Sequence, residues 1–384
     1  RVPHMAKKPK RVTPAQQAIA KQNSIKIQMP AKVKVGKRAR DTALSIEQTV
    51  LEATMEESSQ KGYIPHHVGQ SVVTLDDQST KQLLGNITLS NISTPEQLEE
   101  AMTPSTASMT TQKVSLPEEV LDTSIATRNL TEMHRAVIEA VLSQLHAGNK
   151  SFTSSMVYRT LCGKGTNFCV HREQQDMVES IMTDLMYTPL SIELGIYDDK
   201  GNAGVGVMES AIIPAEKLQV TISGVKCTAY KVTKLPAILR FCYDTGTLAV
   251  TPMDLLSVDI NFTTKNLILL NILQRQVAPL LYPTTGEAYT RPAPLELPYS
   301  MFYDAAMEAS STKEQANETQ FKARIRKTLA IIMDTWQAGH YIEKWTPLKV
   351  GNQYNSFRIY FPKNAPPALP EADQTRLNHL SEFL

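Results

Sequence analysis

From Leu130 the apolar residues fall at steps of three and four: Leu130, Met133, Val137, Ile138, Val141, Leu142 and Leu145, stopping at Gly148. That spacing lays one apolar stripe along an α-helix, and the stripe must be buried against other elements. With Thr127 or Asn129 as N-cap it predicts an amphipathic helix of about five turns. Thr153 can cap a second, shorter helix whose Met156, Val157 and Leu161 face inward. After the turn Gly163-Lys164-Gly165 a third helix is expected from His171 to about Met186, burying Met177, Val178, Ile181, Met182 and Leu185. Leu190–Ile196 then alternates as a strand, Asp198–Gly204 makes a loop, and further strands follow. Among them is a hairpin from Glu216 to Thr233 around Ser223-Gly224, with a short helix over Pro236–Tyr243. Three helices followed by strand, loop and strand is the order of a winged helix.

The same order recurs downstream. Asn261–Leu281 is apolar on several faces (Leu267, Ile268, Leu270, Ile272, Leu273, Val277, Leu280), which predicts a helix buried between layers. The Pro-rich stretch Tyr282–Pro298 cannot be helical throughout, and Tyr299–Met307 supplies a second helix. A third is expected over Asn317–Gly339, with Phe321, Ile325, Leu329, Ile332, Met333 and Trp336 inward and Gly339 as the left-handed C-terminal residue. Tyr341-Ile342, a polar tip at Gly351-Asn352 and the alternating Phe357, Ile359 and Phe361 complete a second wing. The predicted class is α+β, with two tandem winged-helix domains at 121–260 and 261–363. A disordered basic arm precedes them at 1–120, and a tail follows at 364–384.

The arm is predicted from composition. Up to about residue 122 the chain is rich in Ser, Thr, Gln, Glu and Lys and keeps no period beyond a dozen residues, one short helix near Ser45–Glu57 excepted. Of 40 Lys and Arg and 38 Asp and Glu, the first forty residues hold twelve basic and no acidic ones, leaving 28 and 38 for the rest. Runs of that kind follow polyanions, because each neutralised phosphate releases condensed counterions. A solvated tail and a nuclear-import signal at Lys7-Lys8-Pro9-Lys10-Arg11 are the other readings. Arg1-Val2-Pro3-His4 looks like a cloning remnant, no secretory signal is evident, and no apolar run reaches bilayer length, so a cytoplasmic location is expected. Cys162, Cys169, Cys227 and Cys242 are expected to be free thiols.

A helix that reads DNA must offer donors from one face while the other packs on the core. In the second domain Gln320, Lys322, Arg324, Arg326 and Lys327 meet that demand, and Lys349 and Asn352 sit on the wing. In the first domain only His171, Arg172, Gln174 and Gln175 are usable, of which Arg172 and Gln175 are the candidate contacts. Asp176, Glu179 and Asp184 share that helix's polar side and repel phosphate. Catalysis is not expected. His66 and His67 are adjacent and would point apart, whereas a relaxing endonuclease needs two histidines flanking an apolar residue, and a tyrosine nucleophile. Cys162, Cys169 and His171 lack both a recurrent zinc spacing and a fourth ligand, so buried thiols are expected there. Gly163-Lys164-Gly165-Thr166 lacks the upstream glycine of a phosphate loop and follows no strand. No metal or cofactor is expected.

Three segments carry a resemblance: Asn129-Leu-Thr-Glu-Met-His-Arg-Ala-Val-Ile, the strand Tyr230–Pro236 leading into Leu239 and Tyr243, and the helix and wing from Phe321 to Tyr360. Over about Leu121–Pro362 the chain resembles the winged-helix replication initiators of plasmids and related mobile elements. The resemblance implies binding of double-stranded DNA at repeated origin sites and a switch between dimer and monomer, with Lys322, Arg324, Arg326 and Lys327 reading or clamping the repeat. A homodimer and host replication proteins such as a helicase are the further partners it implies. The chain departs from that family in its long arm and acidic first reading helix. A transcriptional or excision regulator bound to one palindrome, and an interaction protein recruiting a helicase through its arm, are the alternatives.

Overall fold

The computed structural model describes residues 46–48, 50–51, 71–75, 130–197, 203–222, 225–239, 248–282, 289–310 and 317–367. The basic run to residue 40, His66-His67 and the chain beyond 367 lie outside them. Elements are β1 (Ser71–Leu75), α1 (Glu132–His146), β2 (Ser151–Thr153), α2 (Ser154–Leu161), α3 (Arg172–Tyr187), β3 (Pro189–Tyr197), β4 (Ala203–Ala211), β5 (Ala215–Ile222), β6 (Val225–Val232) and β7 (Leu248–Pro252). A turn of 3-10 helix at Met253–Leu255 leads to α4 (Thr264–Leu281), β8 (Leu295–Pro298), α5 (Tyr299–Glu308), α6 (Glu318–Ala338), β9 (Lys344–Val350) and β10 (Gln353–Tyr360). Helix and sheet are thus mixed, as α+β implies.

The two halves share a connection pattern. In the first, β2 follows α1, α2 and α3 come next, and β2 then pairs with β6, giving the antiparallel order β2-β6-β5. In the second, α4, β8, α5 and α6 precede the hairpin, and the order is β8-β10-β9. The first half differs by an insertion. Among the described residues, Leu190–Ile196, expected to open the first wing, pairs with β4 in a two-stranded sheet separate from β2-β6-β5. The hairpin that closes on β2 is formed by β5 and β6, which pair from Ala215↔Val232 to Ile222↔Val225.

Local chemistry explains most boundaries. Thr131, rather than Thr127 or Asn129, caps α1, and its backbone N–H donates to His134 Nδ1 at 3.2 Å. Thr153 accepts from the Met156 amide at 3.2 Å to start α2, and Thr263 accepts from the Asn266 amide at 3.3 Å to start α4. These side chains satisfy donors that have no partner within the helix. Along α6 the buried residues are Phe321, Ile325, Leu329, Ile332, Met333 and Trp336, the stripe expected from spacing. Its C-terminus departs from expectation. Gly339 has φ −80°, and His340 takes the left-handed conformation at φ 62°. Position 339 is nonetheless tight, since a Cβ there would sit 3.1 Å from the Tyr341 ring, which would have to give by a few tenths of an ångström. Replacing His340 by Gly removes the strain of a side chain at positive φ. It should stabilise the protein by up to about 1 kcal/mol, read as a shift of the urea midpoint.

Two segments before residue 121 belong to the fold, which differs from the expectation that folded structure begins near Leu121. Helical residues Ile46, Val50 and Leu51 are buried, and Glu47 forms a buried ion pair with Arg159 of α2 at 3.1 Å. Strand β1 pairs antiparallel with β7, with Val72, Val73 and Leu75 buried. One apolar cluster includes Leu51, Val73, Val137, Leu270, Phe302, Trp336 and Phe357, so it runs through both halves. The Trp336 indole N–H donates to the Leu255 carbonyl at 2.7 Å, joining the end of α6 to the segment between the halves.

Candidate nucleic-acid interface

The site is built on α6. Asn317 caps it by accepting from the Gln320 amide at 3.1 Å, leaving Gln320, Arg324 and Lys327 exposed on its first turns. The buried stripe fixes which way these side chains leave the core. The positive end of the helix dipole lies at the same end, where anions are favoured. Arg324 Nε donates to the Gln320 carbonyl at 3.4 Å. Lys322 pairs with Glu318 one turn back, and this hydrogen bond holds the Glu318 carboxyl below its ordinary range.

Lys322 and Arg326 lean toward α5, onto tyrosines. Lys322 Nζ lies 5.4 Å from the Tyr303 ring centre, and Arg326 donates to the Tyr303 hydroxyl at 2.8 Å. Tyr303 stacks on Tyr299 at 6.0 Å and 13°, and Tyr299 meets Tyr354 edge-on at 6.2 Å. Tyr354 belongs to the β9–β10 hairpin. Its ring carries Arg326 at 4.7 Å and Lys349 at 4.4 Å, so one aromatic side chain holds a cation from the helix and a cation from the hairpin. Cation–π contacts of this kind contribute about 0.5–2 kcal/mol each, and they orient the cations. Lys349 and Tyr354 are direct partners across β9 and β10, flanking the Gly351-Asn352 turn where Gly351 has φ 61°. Asn352 is exposed at that tip, and Val350 beside it is 71% exposed.

The structure therefore brings Lys322, Arg326 and Lys349 onto one tyrosine platform, with Gln320, Arg324, Lys327 and Asn352 exposed around it. Three further residues join them. Tyr303 and Tyr354 position the cations, and Lys265, at the start of α4, lies 5.7 Å from the Phe321 ring. Asn266 beside it accepts from Thr328 of α6 at 3.4 Å, which sets the start of α4 along the flank of α6. Alternation of basic and aromatic residues on the hairpin was the available signal for Tyr354. Lys265 had none, being remote in sequence.

Arg172 and Gln175 are placed differently. Arg172 pairs with Asp176 and with Glu179 at 3.2 Å, and donates to Gln175 Oε1 at 3.2 Å. Glu179 also binds Lys226 of β6 at 3.0 Å, and Gln175 donates to the Val170 carbonyl at 3.3 Å. Their polar atoms thus serve the packing of α3 on the first sheet. Cys162 is buried, which pushes its thiol up to about 12, whereas Cys169 is exposed rather than buried. Among the described residues no cluster of three metal-ligating side chains occurs, and no helix is long and apolar enough to cross a membrane.

No protein-family model matches the chain, and no curated protein matches it. Among solved structures, it is similar to a crystal structure of RctB domains 2-3, covering residues 155–483. The TM-score is 0.33 at 9% identity, over 59% of this chain and 81% of that one. A selenomethionine structure of RctB domains 2 and 3 aligns at TM-score 0.27 and 10% identity, over 59% and 79%. These are distant likenesses, and the functional reading rests on the surface of α6 and its hairpin.

Proposed function

We propose that this chain is a non-enzymatic, sequence-specific double-stranded DNA-binding protein made of two winged-helix units, the second of which reads DNA. The observation that carries the reading is the Tyr354 platform. It joins the basic half of α6 to the hairpin, so helix and wing form one preset surface of donors. A helix of that width enters the major groove, and a basic hairpin beside it reaches the flanking backbone. Arg324, Lys327 and Gln320 would face bases, with Lys322, Arg326, Lys349 and Asn352 on phosphates and the flanking groove. The inward-turned Arg172 and Gln175 suit a first unit that serves assembly, including a homodimer, more than base contact. Within this class we favour a replication initiator at repeated sites of a plasmid or mobile-element origin, with a host helicase among its partners.

The test is selection of bound fragments from the source element's DNA, at about physiological salt, by wild type and an Arg324→Ala, Lys327→Ala double variant. Wild type should enrich a short repeated sequence, and the double variant should lose the preference, at about 1–3 kcal/mol per lost base contact. A single palindrome would replace the initiator by a regulator. No enrichment by wild type would sink sequence-specific binding. The platform has its own check. Tyr354→Phe keeps the ring and should bind as wild type, whereas Tyr354→Ala should weaken binding about tenfold with the fold intact, in line with the loss of two cation–π contacts.

A further inference from the structure

Every residue of α1 from Met133 to His146 is buried. Yet Glu132, Arg135, Glu139, Ser143 and His146 recur at steps of three and four, forming a polar stripe that composition alone assigns to solvent. In the fold, β1 and α4 contact Glu132, Glu139 and Ser143 of this stripe. The Val73 amide donates to Ser143 Oγ at 2.8 Å, the Leu75 amide donates to Glu139 Oε1 at 3.2 Å, and Arg275 of α4 pairs with Glu132. One edge of β1 is thus satisfied by β7 and the other by side chains of a helix. From the same strand Thr74 accepts from Gln274 of α4 at 2.9 Å, so β1 hydrogen-bonds the first helices of both halves.

Glu139 is the stressed member of this contact. Its Oε2 is buried without a hydrogen-bond partner, a costly state for a carboxylate. The charges facing it are Arg275 from α4 and Glu132 and Arg135 from α1, while β1 offers the Leu75 amide and neither β1 nor β7 carries a titratable side chain. Burial outweighs the favourable partners and pushes the carboxyl from about 4.5 up to about 7.

We propose that β1 is a detachable strap, which closes over the polar stripe of α1 and leaves it hydrated on opening, under control of the Glu139 carboxyl. A permanent core strand would face an apolar stripe, whose exposure water penalises. Here the α1 side chains that β1 hydrogen-bonds are ones water accepts, and the cost of opening is the exposure of Val72, Val73 and Leu75 together with the core residues they pack against. Opening also removes the hydrogen bonds that β1 makes to α1 and α4, while the Arg275–Glu132 pair still joins those two helices.

The sign of the proton effect follows from the raised carboxyl. Closing favours the protonated form, so closure is fully supported below about pH 4.5 and loses support as pH rises to about 7. Amide exchange of the full chain without DNA, corrected for intrinsic rates, tests the strap at pH 6 and pH 8. The Val73 and Leu75 amides should be at least about tenfold less protected than those of Phe357 and Ile359. Their protection should fall about tenfold from pH 6 to pH 8, and Glu139→Gln should abolish that fall. Ser143→Ala should lower β1 protection at both pH values. Exchange of β1 in step with β10 at both would make it a fixed core strand, and a wild-type pH response in Glu139→Gln would remove the carboxyl from control. Neither result bears on DNA binding, which is assayed separately.

Discussion

Replacing Gly163 by Ala should cost at least about 3 kcal/mol and leave little folded protein at moderate urea. Gly163 has φ 60°, and a Cβ built on it would lie 2.5 Å from the backbone carbon of Leu256 and 2.5 Å from the Ser257 nitrogen. Neither neighbour is a side-chain end that can swing away, so backbone must shift. The shift would reach far, because the same turn carries Lys164, whose Nζ lies 3.5 Å from the Val258 carbonyl and 5.4 Å from the Phe262 ring. Gly165, two residues on, lies outside the left-handed region, and a Cβ placed on it would meet nothing within 4 Å. Gly165→Ala should therefore stay within about 1 kcal/mol of wild type. Equal urea midpoints for the two variants would refute the close approach of this turn to residues 256–257.

The second large effect is expected at Glu47. Arg159 donates through Nη1 to both carboxylate oxygens, at 3.2 and 3.1 Å, and both side chains are buried. Removing one partner strands the other charge away from water, so Glu47→Ala should cost about 3–5 kcal/mol. Arg159 keeps one hydrogen bond, from Nε to the Phe168 carbonyl at 3.1 Å, which offsets part of the loss. Arg159→Met in the Glu47→Ala background should recover stability, because no unpaired charge is then left. A double-mutant cycle on urea midpoints measures the coupling. A coupling below about 0.5 kcal/mol would mean that residues 46–51 are not docked on α2 in solution.

Spacing made the helices of both halves legible, down to the six buried residues of α6, because an amphipathic period is written locally. The short strands were not. β2 pairs through three residues and β8 through four, too few for alternation to show, and their partners are distant in sequence. β1 lay in a stretch whose composition resembles that of a disordered chain, and only its place beside β7 and α1 gives it structure. The basic residues of α6 were visible as an acid-poor run. Their grouping was not, since spacing does not show that Tyr303 of α5 and Tyr354 of the hairpin lie side by side beneath these cations. In α3 the acids were visible, but the capture of Arg172 by Asp176 and Glu179 depends on rotamers that spacing does not specify.

The β1–β7 ribbon also dictates an order of events at birth. Thr251 donates to the Val72 carbonyl 179 positions earlier. At ribosomal speeds of roughly 5–20 residues per second, the later strand emerges about 9–36 seconds after the earlier one. Once residues 132–187 have emerged within that interval, α1 and its neighbours can form, but the strip over Glu139 and Ser143 has no lasting cover. Closing so long a loop is slow compared with helix formation, so the ribbon should be among the last parts to mature. A nascent chain halted before residue 248 would carry its first half with that seam still unsealed.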